Sequence, residues 1–145
     1  MNFTIVHYIE QLQDGITNSL RNKFIQAIIV AYAGENEKFK LGAIVFKGKT
    51  PLSSGTNLAR KTSPDMIRFG KPRPVHAEQN ALISHKHYDT FKGTDLVVVR
   101  LGRDGKIRMS KPCSECTKLI EAAKIKKVYF TNEAGNVEML YVSRR

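Results

Sequence analysis

PCSECTKLIEAAKIKKVYFT, running from Pro112 to Thr131, holds both cysteines of the chain and changes its periodicity along the way. Behind the proline, Leu119, Ile120 and Ala123 share one side of a helix over Cys113 to Ala123, and VYFT after Lys127 reads as a strand. The two thiols stand three apart at the start of that helix, so they face the same way, and the positive end of the helix dipole favours their thiolates. A disulfide between them would close only a tiny loop and stabilise little. Working thiolates in a reducing compartment are the better reading.

Moving outward, Leu20, Phe24, Ala27, Ile28 and Ala31 recur at helical spacing after polar Thr17, Asn18 and Ser19, and Gly34 ends the run; a helix over about 18–33 is predicted. KLGAIVFKGKTPLSSGTN, Lys40 to Asn57, reads as two strands around a turn at Gly48 and Lys49. VHAEQNALISHKHY follows as a helix from near Val75, behind Pro72 and Pro74, which disfavour helix in the residues before them. Leu96 to Leu101 is a near-continuous apolar run, as expected of a central strand covered on both faces, and Gly102 to Gly105 turns the chain. After VYFT, the short NEAGN connection to VEMLYV allows only an antiparallel pair. The order is helix, hairpin, helix, strand, helix, strand, strand. It predicts an α/β fold, a mixed sheet ending in a C-terminal antiparallel hairpin with helices packed on it through right-handed crossovers.

The chain has 145 residues, 41% of them apolar, and no repeat, low-complexity tract or linker, so residues 1–145 are expected to form a single domain. The start, MNFTIVHYIE, lacks the basic flank and long apolar core of a secretory signal, and FIQAIIVAYA is too short to span a bilayer. A cytoplasmic protein without a membrane partner is expected. The 24 Lys and Arg exceed the 13 Asp and Glu by enough to set the net charge at +11, which attracts phosphates and polynucleotides at long range.

His76 and Glu78 begin one helix, Cys113 and Cys116 another, and in a layered sheet both helices would start at the same edge. One imidazole and two thiolates bind zinc with a fourth position open for water, the arrangement of a catalytic site. Bound zinc lowers the pKa of that water toward neutrality, which makes a hydroxide nucleophile, and Glu78, close but not a ligand, can take the proton and pass it on. A structural zinc knuckle would need two further ligands, and no other cysteine exists. His85 and His87 are two apart and point to different helix faces. Glu115 decorates the first helical turn, and Tyr129 and Phe130 read as strand packing.

His76-Ala77-Glu78 followed by Pro112-Cys113-Ser114-Glu115-Cys116 resembles the zinc signature of the cytidine deaminase superfamily. The resemblance covers most of the chain and implies a three-layer α-β-α sandwich with zinc as its cofactor. Carried over residue by residue, it implies that His76, Cys113 and Cys116 hold zinc. Glu78 then protonates the ring nitrogen and later the departing ammonia. Asn57, at the end of SSGTN, resembles the asparagine that contacts the substrate sugar, and Ala77 falls among the substrate-binding positions. The basic, proline-rich loop NLARKTSPDMIRFGKPRPV leads straight into His76, and its Arg60, Lys61, Arg68 and Arg73 are candidates for a substrate phosphate. A solvated loop on a basic protein is the alternative. It is similar to loops of small phage-type deaminases, except that Ser63 stands where that pattern has a histidine, which removes a possible extra ligand.

The motif does not separate the family's substrates. A terminal hairpin resembles the free-nucleoside cytidine deaminases, whereas the HAE form resembles deoxycytidylate and transfer-RNA deaminases. The basic loop favours a phosphorylated cytosine nucleotide, with ammonia as the second product. A deaminase acting on cytosine or adenine in single-stranded DNA or RNA is the main alternative; it suits the charge of +11 but lacks a basic stripe interleaved with aromatics. A zinc-stabilised, catalytically silent nucleic-acid-binding protein is a further one, against which Glu78 stands. The resemblance also implies a homo-oligomer.

Overall fold

The computed structural model describes residues 3–34, 39–57, 76–83 and 91–142. Helix α1 (Ile5–Ile9) and helix α2 (Asn18–Tyr32) precede the hairpin of β1 (Lys40–Lys47) and β2 (Thr50–Thr56); helix α3 (Ala77–Ile83) leads to β3 (Asp95–Leu101) and the short β4 (Ile107–Arg108); helix α4 (Ser114–Ala122) is followed by β5 (Lys127–Thr131) and β6 (Val137–Tyr141). The strand order is β2-β1-β3-β5-β6, with β4 beside β3. Strand β3 runs antiparallel to β1 and parallel to β5, and β5 and β6 close the sheet as an antiparallel pair. Every element expected from the sequence is present, within a residue or two wherever its ends are described, and the mixed sheet ends in the expected hairpin; the start expected for α3 near Val75 and its continuation towards Tyr88 lie outside the described residues. No helix among the described residues is long and apolar enough to cross a membrane.

Alternation along β3 divides the interior in two. Leu96 and Val98 pack with Ala77, Ala81 and Leu82 of α3 and Ile120 of α4, while Val97, Val99 and Leu101 pack with Tyr8 of α1 and Phe24, Ala27, Ile28 and Ala31 of α2. The sheet is the middle layer of three. Each fully buried side chain of this size contributes roughly 1.5–3 kcal/mol relative to exposure. Helix α2 begins where Thr17 caps it, its Oγ1 accepting from the Leu20 N–H at 3.2 Å.

Two glycines set how closely the helices approach. A Cβ on Gly42 of β1 would stand 2.5 Å from the Ala27 carbonyl oxygen of α2. On the opposite face, a Cβ on Gly55 of β2 would meet the Ala81 nitrogen at 2.4 Å and the Ala77 oxygen at 2.7 Å, both on α3. Neither space can accept a methyl group without moving helix backbone.

Two elements escape sequence periodicity. Helix α1 has five residues, too few to display a helical repeat, and β4 has two. Tertiary contacts hold α1 in place: Tyr8 is fully buried and its hydroxyl donates to the Gly102 carbonyl at 2.7 Å, and His7 Nε2 lies 2.9 Å from the Gly105 oxygen. Gln11 adds a bond from the Ile107 N–H to its Oε1 at 3.0 Å. The first helix thus clamps the turn between β3 and β4.

Replacing Gly55 with Ala should lower stability by about 1–3 kcal/mol and weaken zinc retention, because α3 carries His76 at its start. Gly42→Ala should cost similar stability by crowding α2 while leaving zinc affinity near wild type. Thermal unfolding and metal titration of both variants check the contrast.

Candidate metal centre

Strand β2 is antiparallel to β1, and β1 to β3, so β2 and β3 run the same way and end at the same edge of the sheet. His76 immediately precedes α3, and Cys113 immediately precedes α4. Both helices therefore begin at the carboxyl edge, where open α/β sheets form their binding crevices. There His76 Nδ1 lies 3.6 Å from Cys113 Sγ and 3.3 Å from Cys116 Sγ, and the three ligand atoms fall within 4.8 Å of one another. Tetrahedral zinc with bonds of about 2.0–2.1 Å to nitrogen and about 2.3 Å to sulfur requires nitrogen–sulfur separations of about 3.5 Å. The donor set and its spacing fit that ion.

Local chemistry holds each donor in place. Gln79, buried in the first turn of α3, turns its Oε1 back to accept the His76 N–H at 2.8 Å, the return half of a capping box. Cys113 occupies the N-cap position of α4 without making a side-chain cap, which leaves its sulfur facing His76. Its carbonyl accepts from Thr117 N at 2.9 Å and Thr117 Oγ1 at 2.8 Å. Just upstream, buried Ser110 donates to the Val98 carbonyl and accepts the Thr131 N–H, both at 2.8 Å. The segment leading to the cysteines is thereby pinned between the ends of β3 and β5.

Charge and burial conflict at this point. Glu78 is 3% exposed, and its Oε1 has no hydrogen-bond partner among the described residues. Burial pushes its carboxyl above the usual glutamate range, opposed in part by its own backbone N–H, His76 and Cys116. Burial likewise pushes the Cys116 thiol up, reinforced by the neighbouring Glu78 charge and Cys113. The helix dipole favours the thiolate at this terminus, and desolvation opposes it at Cys116. A divalent cation among these groups reverses the balance, because it stabilises thiolate and carboxylate together.

Beside the donors lies a cleft of about 220 Å³. His76, Ala77, Glu78 and Cys113 line one part of it, and Phe39, Leu41, Arg100, Met109, Ser110 and Lys111 the rest. Arg100 and Ser110 are site residues that sequence reasoning missed; Arg100 interrupts the apolar β3 run, and that interruption was the available signal. Asn57 is buried just beyond β2, with Oδ1 accepting from Leu41 N at 2.8 Å and Nδ2 donating to the Phe39 carbonyl at 3.3 Å. It braces the strand that supplies Phe39 and Leu41 to the cleft. Arg60, Lys61, Arg68 and Arg73 lie outside the described residues, as do His85 and His87. Phe130 is buried beside α3 and α4, Tyr129 packs against the opposite cluster, and Glu115 stands in the first turn of α4.

The family described as the cytidine and deoxycytidylate deaminase zinc-binding region matches residues 19–132. Among solved structures, the chain is similar to the dCMP deaminase of the cyanophage S-TIM5 in its apo form, at 26% identity and a TM-score of 0.56, covering 81% of this chain and 86% of that one. The same phage protein in complex with dCMP and dUMP is similar at 25% identity and a TM-score of 0.57, covering 82% and 85%. The cytidine deaminase of Burkholderia pseudomallei shares the fold at 22% identity and a TM-score of 0.57, covering 88% and 94%. No curated protein matches the sequence. With well over half of its length matched, from the first turn of α2 to the end of β5, the chain belongs to the cytidine and deoxycytidylate deaminase family of zinc-dependent hydrolytic deaminases.

Proposed function

We propose that this deaminase acts on the cytosine ring of a phosphorylated nucleoside of the deoxycytidine monophosphate kind, producing the uracil form and ammonia. The observation that carries the reading is the convergence of His76 on Cys113 and Cys116, at 3.6 and 3.3 Å, beside the buried, unpartnered carboxylate oxygen of Glu78.

His76, Cys113 and Cys116 are the metal ligands in this reading. Bound there, zinc would supply a Lewis acid that lowers the pKa of water toward neutrality. Glu78 does the proton work. Burial holds its carboxyl at a raised pKa and one oxygen has no partner among the described residues, so it can take a proton from water and deliver it to the ring nitrogen, then take the hydroxyl proton of the hydrated ring and pass it to the amino group, which leaves as ammonia. Ala77, small and buried at the cleft wall, leaves room for a flat ring. Among the described residues Asn57 makes two backbone bonds, and its amide has one further N–H and one further lone pair to offer a sugar hydroxyl. Arg60, Lys61, Arg68 and Arg73 are the loop cations offered to a phosphate.

Two findings support a nucleotide over a nucleoside: the cleft carries the cations Arg100 and Lys111, and the phage protein to which the chain is similar is a dCMP deaminase. The net charge of +11 favours a second reading, deamination of a base in single-stranded DNA or RNA.

Wild-type protein should hold one zinc per chain, and His76→Ala, Cys113→Ser or Cys116→Ser should reduce it to background by elemental analysis. Because the metal-free Cys116 thiol is held protonated by burial, zinc must displace that proton; the apparent affinity should rise about tenfold per pH unit for each proton released, and a flat profile between about pH 6 and 8 would contradict the thiolate ligation. Glu78→Gln should retain the metal and lose turnover by at least about 10²–10⁴-fold; unchanged turnover would remove the mechanism.

Ammonia release by zinc-loaded protein from cytidine, deoxycytidine, their mono- and triphosphates, single-stranded DNA and RNA tests the substrate. Monophosphates should lead. Turnover confined to polymers, weakening steeply with salt, would establish the second reading instead.

A further inference from the structure

Position 100 is where β3 stops behaving as a core strand. Leu96 and Val98 point into the cluster beneath α3 and α4, and the two-residue period places the next residue of that row, Arg100, on the same face. By then the strand has reached the carboxyl edge, and the side chain emerges into the cleft lined by His76, Glu78 and Cys113. A second cleft of about 470 Å³ is lined by Arg103 and Arg108, and Phe39, Arg100 and Met109 are common to both.

Three features of Arg100 have no internal explanation. Its Nε is buried, and the side chain has neither a hydrogen bond nor an ion pair among the described residues. Its guanidinium lies over the Phe39 ring, 4.7 Å from the centroid, a contact that favours the cation. Directly across the β3–β4 ladder stands a second arginine, Arg108, and like charges in opposing positions destabilise a sheet. Asp104 pairs with Arg108 and leaves Arg100 uncompensated. A cleft-facing guanidinium with no anionic partner among the described residues is satisfied by the arrival of an anion with paired oxygens.

We propose that Arg100 reads the phosphate of the substrate nucleotide. The base lies against Glu78, the sugar passes Phe39 and Met109, and the phosphate oxygens meet the terminal nitrogens of the guanidinium where it faces the cleft. The assignment rests on the nucleotide reading above and moves the decisive phosphate contact from the basic loop before His76 to the end of the central strand.

The experiment compares zinc-loaded wild type with Arg100→Gln and Arg100→Lys, reading kcat/KM on deoxycytidine monophosphate and on deoxycytidine and the binding of deoxyuridine monophosphate and deoxyuridine by calorimetry. Wild type should prefer the monophosphate. In Arg100→Gln that preference should shrink by about 10- to 100-fold, mainly through KM, as expected for losing charge-assisted bonds. Calorimetry should show the same loss for deoxyuridine monophosphate. Arg100→Lys, which keeps the charge but not the fork, should lose part of the preference, and it carries the test should Arg100→Gln not fold. If wild type shows no preference, the nucleotide reading fails and this assignment with it. If wild type prefers the monophosphate and both variants keep that preference, Arg100 alone is overturned. Equal losses on both substrates, or a loss seen only with a single-stranded oligonucleotide, overturn it as well.

Discussion

Because Leu96 and Val98 of β3 point into one apolar cluster and Val97, Val99 and Leu101 into the other, the strand is satisfied only when helices cover both faces of the sheet. That requirement fixes much else. Joining β3 to its parallel neighbour β5 takes a crossover, and α4 provides it. Joining β2 to β3, which run the same way, takes another, and α3 provides that one. Helices returning over a sheet start where the preceding strands end. His76 and the two cysteines, each placed at such a start, are thus brought to one edge by the need to bury five side chains in the middle of the fold.

Positioning at that edge depends on small residues and on hydrogen bonds rather than on bulk. Gly55 lets α3 settle against β2, Gln79 returns a bond to His76, and Ser110 ties the approach to Cys113 between two strand ends. Helix α1 does the same for the β3–β4 turn through Tyr8 and Gln11. None of these contributes an atom to the proposed chemistry. Each removes a degree of freedom from a group that does, and a site assembled from two distant segments needs its geometry set in this way.

Burial pushes both Glu78 and Cys116 above their usual ranges. A divalent ion among these groups favours the deprotonated ligands. The surface charge of +11 is a separate matter, since it acts over long range on any phosphate and selects none. Selection requires a short-range feature with fixed geometry, which a solvated cation does not supply.

The amino-acid order alone determined the elements whose periodicity is long enough to register: α2 from its Leu20-to-Ala31 spacing, the β1–β2 hairpin, the apolar run of β3, and the helix and strand after Pro112. It also determined the chemistry of the centre, because His76, Glu78, Cys113 and Cys116 are the types and spacings that zinc hydrolysis needs. Only tertiary structure decided the rest. Helix α1 and β4 are too short to carry a local signal and exist through contacts made nearly a hundred positions away. The raised Cys116 thiol reflects burial, which local sequence does not encode, and Asn57 turned out to brace β1 through the backbone of Phe39 and Leu41. Arg100 falls in sequence inside the apolar run of β3; its place in the cleft arises from pairing with β1 and β4, contacts that form only once the sheet does.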